Sequence, residues 1–304
     1  MKESTSFEAL MDPGEADDFF DVADLPAFDP RATNGFDRTN ALWLAEFSRL
    51  IYRRDSDEFK RPAGFRTRDE FLGPHGWRQE RADFINLDGT RAALFVNLAL
   101  PCGVLVFRGT SSLGDALTDA QFLPDNWLQA RGKVHRGFRD ALERVWNRIE
   151  GKLRQFPHPV FFTGHSLGAG LATLAVSRAL IENKMPRPAA LYTFGSPRVG
   201  DAVFTSTLSG VYHCRVVNDK DIVTTIPPPL LFRHDGELHH LKPDGFVEVR
   251  ARDADEVPSL SSAILSGTSA LLKDIGAGLR TAALPQHLTD HAPRNYTARL
   301  QAAR

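Results

Sequence analysis

Phe161-Phe162-Thr163-Gly164-His165-Ser166-Leu167-Gly168-Ala169-Gly170 joins a short apolar run, Val160 to Thr163, to an Ala- and Leu-rich segment from Leu167 to Lys184. The run reads as a buried strand and the segment as a helix. Between them stands Gly164-His165-Ser166-Leu167-Gly168, a G-x-S-x-G at a strand-to-helix turn, the setting a nucleophile elbow needs. Such a turn is so sharp that its serine takes a strained backbone. A side chain at either flanking glycine would collide with strand or helix. The hydroxyl is then held above the carboxyl edge of a sheet. The motif arises by chance in roughly one chain of this length in ten, so the rest of the chain must decide.

The chain has 304 residues, with 42% apolar and 25% charged side chains, as in ordinary globular proteins. A net charge of −1 gives no broad basic field for nucleic acid or an anionic membrane. Cys102 and Cys214 lie in apolar, strand-like surroundings and read as buried free thiols. His234, His239, His240 and Asp244 show no ligand repeat, and a polar hairpin is the better reading than a metal site. Residues 1–24 hold eight acidic side chains against one lysine, unlike a secretory signal, and no stretch is long and apolar enough to span a bilayer. The default expectation is a cytoplasmic protein, with leaderless secretion left open.

Residues 1–36, acidic and interrupted by Pro13, Pro26 and Pro30, read as a mobile tail with at most a docking turn at Phe19-Phe20. Apolar residues from Leu42 to Ile51 recur at helical spacing, with Thr39 or Asn40 as the expected cap. Two strand runs flank the turn Asp88-Gly89, and a third, Gly103 to Phe107, ends in Arg108-Gly109-Thr110. Val134 to Phe138 opens a helix to about Gln155 whose buried stripe includes Leu142, Val145, Trp146, Ile149 and Leu153. Further strands are expected at Ala189–Phe194 and Val211–Val217, then a hairpin around Asp235-Gly236 and Asp244-Gly245. Alternating strands and helices predict an α/β fold: a largely parallel central sheet with helices on both faces, in a single domain over 37–304. A softer apolar segment at about 252–284 reads as a surface helix or a helical cap insertion.

A serine hydroxyl needs a base to take its proton, and the base needs a carboxylate to fix its tautomer. In elbow folds these follow the serine in the order acid, then histidine. Asp221 and Asp219 both lie beyond the strand Val211–Val217, and spacing does not separate them. His287 and His291 both lie late in the chain. His165, inside the elbow, is too close in sequence to swing onto Ser166, so packing beside the turn is its expected role. Oxyanion donors are expected at the N–H of Leu167, on a positive helix end, and in the loop Arg108-Gly109-Thr110.

Six stretches occur together and in order: Phe107-Arg108-Gly109-Thr110; Val134 to Phe138; Thr163 to Gly170; Tyr192 to Asp201, with Gly195-Ser196-Pro197-Arg198 at its centre; Asn218 to Val223; and Asp290-His291 with Tyr296. With them the chain resembles the class 3, fungal-lipase-like α/β hydrolases over roughly residues 40–300. The resemblance implies the α/β-hydrolase fold, Ser166 as nucleophile, Asp221 as acid, His291 as base, and Thr110 and Leu167 as oxyanion donors. It implies a carboxylic ester hydrolase acting on acylglycerols or related lipid esters through an acyl-enzyme, in transient contact with a lipid interface and with no cofactor or metal. His135 and Arg198 lie in motifs that read as structural. In the family the lid follows the oxyanion strand and is often bulky and apolar; here residues 113–119 are small and acidic, which speaks against strong interfacial activation. Phospholipase, acyltransferase or short-chain esterase chemistry at the same triad, and a non-catalytic scaffold, are the rival readings.

Overall fold

The computed structural model describes residues 3–4, 13–21, 25–54, 64–79, 84–97, 99–109, 123–227, 229, 231–251 and 286–302. Thr110, the lid-like stretch 113–119 and the cap expected at about 252–284 lie outside them.

Successive side chains of a strand point to opposite faces, and the apolar runs here feed two cores. Phe95, Val106, Phe161 and Tyr192 bury on one face, and Leu94, Leu105, Phe162 and Leu191 on the other. The strands are β1 (Trp77–Arg78), β2 (Phe84–Leu87), β3 (Thr90–Asn97), β4 (Cys102–Phe107), β7 (Val160–His165), β8 (Ala190–Phe194), β9 (His213–Asn218), β10 (Glu237–Leu241) and β11 (Val247–Arg250). They form one sheet in the order β1-β3-β4-β7-β8-β9-β10-β11, with β2 also on β3. A separate ribbon pairs β5 (Pro124–Asn126) with β6 (Lys133–His135). From β4 to β10 every pairing in the main sheet is parallel, so the carboxyl ends of β7, β8 and β9 share one edge. This is the largely parallel α/β sheet that the alternation predicted.

Helix α1 (Arg38–Leu50) packs on β7 and β4 at the first face, and α3 (Arg136–Gln155) and α4 (Leu167–Glu182) cover the second. Short helices α2 (Arg68–Leu72), α5 (Ala202–Ser206) and α6 (Gln286–Thr289) complete the described set with α7 (Pro293–Ala302), which lies against α1. The expected stripe of α3 is buried at Leu142, Val145, Trp146, Ile149 and Leu153. None of the described helices is long and apolar enough to cross a membrane.

Three local readings change. The cap of α1 is Asp37, not Thr39 or Asn40: its extended backbone lets the carboxylate accept from Asn40 N–H at 2.7 Å. Of the two turns expected late in the chain, Asp244-Gly245 makes a hairpin, but beyond Asp235-Gly236 the chain enters β10 parallel to β9. The described parts of the acidic amino-terminal region are packed rather than trailing. Phe19, Phe20 and Phe28 are 4%, 4% and 2% exposed, and Phe28 meets Phe161 edge-on at 4.9 Å. A buried phenylalanine contributes about 1.5–3 kcal/mol, which offsets the charge and prolines that suggested a tail.

Candidate active site

The elbow is the turn from β7 into α4. Ser166 has φ 59° and ψ −130°, a left-handed backbone that a non-glycine residue adopts only under constraint. Its N–H is held by Phe194 O at 3.0 Å. A Cβ on Gly164 would stand 2.4 Å from the Gly168 carbonyl, and one on Gly168 would stand 2.2 Å from Phe107 O. Both motif glycines are therefore required by close approach of backbone to backbone. Leu167 is the first residue of α4, so its N–H has no intrahelical acceptor and lies at the positive end of the helix.

Asp221 sits just past the carboxyl end of β9 and caps a short 3-10 turn, accepting from Val223 N–H at 2.8 Å. His291 follows α6 and brings Nδ1 to 2.8 Å from Oδ2 and 3.0 Å from Oδ1 of Asp221. Since a carboxylate only accepts, Nδ1 carries the proton and Nε2 of neutral His291 is the free base. That Nε2 is buried and, among the described residues, has no hydrogen-bond partner, Ser166 Oγ included. Tyr296, on α7, donates to Asp221 Oδ2 at 2.5 Å. Burial and the neighbouring Asp221 charge push the Tyr296 phenol well up, so it stays a donor.

Gly195 joins these groups. It follows Phe194, whose carbonyl holds Ser166, and its φ is +58°. A Cβ there would meet Asp221 Oδ2 at 2.7 Å and the His291 ring at 3.0 Å. Acid and base thus meet where only glycine fits, and the preceding residue holds the Ser166 backbone. Asp219 and His287 do not join them: Asp219 Oδ2 accepts from the Gln286 amide at 2.9 Å, and among the described residues His287 Nε2 has no hydrogen-bond partner.

His165 does more than pack. Its Nε2 donates to the His291 carbonyl at 2.7 Å, and the two rings lie 4.5 Å apart. Burial, helped by His291, drives its pKa well below the usual histidine value, so it is neutral. Nδ1 is then an acceptor, 3.5 Å from the Tyr52 hydroxyl. Tyr52 in turn lies so close to Gly109 that a Cβ on that glycine would be 2.3 Å from its oxygen. Gly109 also abuts Ser166, which places the chain before Thr110 beside the nucleophile. Neither Tyr52 nor the anchoring role of His165 was signalled by local sequence, because each works through a residue more than 100 positions away.

Arg198 holds the loop after Asp221, donating to Thr225 O at 2.5 Å and Pro227 O at 2.9 Å. His135 stacks on Phe138 at 4.3 Å. The other histidines go to local partners: His234 to Thr224 O, His239 to Glu237 and His240 to Asp219 O. Among the described residues no cluster of His, Cys, Asp and Glu could hold a metal. Cys102 and Cys214 are buried free thiols, with burial pushing Cys102 up to about 12.

With this geometry in view, residues 104–231 match the family model for lipase (class 3). Over these residues the chain is similar to class 3 lipases. A lipase from Rhizomucor miehei is 34% identical over 180 residues, spanning 55% of this chain and 49% of that one. A secreted mono- and diacylglycerol lipase from Fusarium solani is 35% identical over 141 residues, spanning 43% and 41%. A solved triacylglycerol lipase, described as having a serine protease triad at its catalytic centre, superposes with a TM-score of 0.56 at 27% identity, over 64% of this chain and 81% of that one. The chain spans about half the length of the curated relatives it matches.

Proposed function

We propose that this protein hydrolyses carboxylic esters, acylglycerols or related lipid esters first among them, by an acyl-serine route. The observation that carries the reading is His291 Nδ1 on Asp221, with Nε2 unpartnered among the described residues, in a fold that holds Ser166 in an elbow. Nε2 takes the Ser166 proton as Oγ attacks the ester carbonyl. Negative charge gathers on the carbonyl oxygen and is met by the Leu167 N–H and by the donor expected from Thr110. The imidazolium is stabilised by Asp221, whose own charge is spread over Tyr296 and Val223 N–H. Nε2–H then protonates the departing alcohol. Water attacks the acyl-enzyme with the same base, and the acid leaves with Ser166 restored. Mono-, di- and triacylglycerols named for the relatives supply the substrate class, and contact with a lipid surface goes with it.

The test is a series of p-nitrophenyl esters from acetate to palmitate, assayed with the wild type and with Ser166→Ala. Activity that rises toward medium or long chains and vanishes in the variant supports a lipolytic serine hydrolase. Turnover confined to acetate and butyrate makes it a short-chain esterase. Activity surviving in a folded Ser166→Ala protein refutes the mechanism.

A further inference from the structure

The amino-terminal region touches the triad through α7. Ser4 N–H donates to Asn295 Oδ1 at 2.7 Å, and Asn295 Nδ2 returns a bond to Ser4 O at 2.8 Å. The same Nδ2 donates to Thr289 O at 2.7 Å, so one side chain ties the arm to the last residue of α6. Glu3 forms a two-armed pair with Arg299, with Nη2 and Oε2 at 3.0 Å. Asp18 stands between two helices: Oδ1 lies 2.6 Å from Arg49 of α1, and Oδ2 lies 2.8 Å from Arg294 of α7. Arg49 is fully buried. Behind these polar contacts Phe19 and Phe20 are sunk in the α1 core, which fixes the arm in place.

Helix α7 starts two residues after His291 and carries Tyr296 next to Asn295. Every polar contact from the arm to α7 therefore lands within one or two turns of a group that contacts Asp221. We propose that the amino-terminal arm is a brace for α7, and that Glu3, Ser4 and Asp18 act as positioning residues that hold His291 and Tyr296 in register on Asp221. The inference rests on the ester-hydrolase reading for its consequence, and on the arm contacts alone for its geometry. A displacement near 1 Å of a catalytic group is enough to lower turnover by as much as about a hundredfold. The brace thus acts on kcat rather than on substrate binding.

The test uses the full chain with p-nitrophenyl butyrate as the probe, and compares Glu3→Arg, Arg299→Glu and the double swap. Each single reversal sets like charges together and lowers kcat about fivefold with KM within about twofold, the size of one partly exposed ion pair. The double swap restores kcat. Hydrogen exchange of the α7 amides, faster in each single variant and recovered in the swap, reads the brace independently of turnover. Where a reversal prevents folding, Glu3→Gln removes the charge at constant shape and is read in the same way. Variants that lower the melting temperature but keep kcat and α7 exchange would overturn the proposal, as would a swap that recovers nothing. No Ser166-dependent hydrolysis by the wild type would sink the enzymatic reading instead, leaving the exchange experiment to decide the brace.

Discussion

At residue scale the site depends on space as much as on charge. Gly195 occupies a left-handed backbone between the acid and the base, and an added methyl would stand 2.7 Å from Asp221 Oδ2 and 3.0 Å from the His291 ring. Gly195→Ala is expected to lower kcat by about 10²-fold through displacement of the pair, with a smaller stability loss of about 1 kcal/mol or more from backbone strain. Kinetics on a soluble ester, with thermal unfolding in parallel, separate the two. A variant with wild-type kcat would mean that the pair does not need this space. Asp290, next to the base, provides a pH test. Burial first, and then the neighbouring Asp219 and Asp221 charges, raise its pKa to about 7, against the downward pull of Lys220 N–H and Arg299. The folded-state pKa is raised, so folding favours the protonated acid. Its contribution to stability is full below the unfolded value near 3.8 and is lost as pH rises through about 7. Asp290→Asn keeps an acceptor for Lys220 N–H and cannot ionise. It should leave the melting temperature little changed at pH 4 and raise it at pH 8. An equal change at both pH values would show that Asp290 does not titrate in this window.

Elements were legible where the pattern was local. The elbow, the α3 stripe and the Asp88-Gly89 hairpin each lie within one short stretch, and each folds as the spacing predicts. The elbow glycines make the strongest claim at this scale, because β4, β7 and α4 cross with backbones nearly touching. Gly168→Ala would set a Cβ 2.2 Å from Phe107 O, and neither strand nor helix can yield. A loss exceeding about 4 kcal/mol is expected from such a clash, seen as an insoluble or unfolded product. Recovery of a folded Gly168→Ala protein with normal melting would contradict the close crossing. What local pattern did not separate was Asp221 from Asp219, or His291 from His287. Each pair lies within a few residues of sequence, and the difference lies in which member points under Gly195 rather than in spacing. Family motifs favoured Asp221 and His291, and these are the two that the fold brings to hydrogen-bonding distance.

Over the whole molecule, the amino-terminal arm was hidden from sequence reading because its partners are scattered. The acids Glu3, Asp17 and Asp18 look like a solvated run until Arg299, Arg53, Arg49 and Arg294 are brought round to meet them. Phe19, Phe20 and Phe28 within the same acidic stretch were the available signal, since a solvated tail has little use for such side chains. Phe28 reaches furthest: its ring packs edge-on against Phe161 of the elbow strand and Trp77 at the sheet edge, at 4.9 and 5.5 Å. It therefore joins the arm to the strand that ends in Ser166. Phe28→Ala should cost about 3–5 kcal/mol, the range for a buried phenylalanine truncated to leave a cavity, measured by urea unfolding of the full chain. Phe28→Leu, which refills most of the volume, should recover much of that loss. A value below about 0.5 kcal/mol for Phe28→Ala is what a surface position gives, and would mean that the arm does not rest on the sheet in solution. Because Phe28 touches neither α7 nor the triad in any ring contact, its effect should fall on stability with kcat retained in the folded fraction. Reversal of the Glu3–Arg299 pair should do the opposite, and the contrast between the two variants separates an arm that merely adheres from one that also aligns the base.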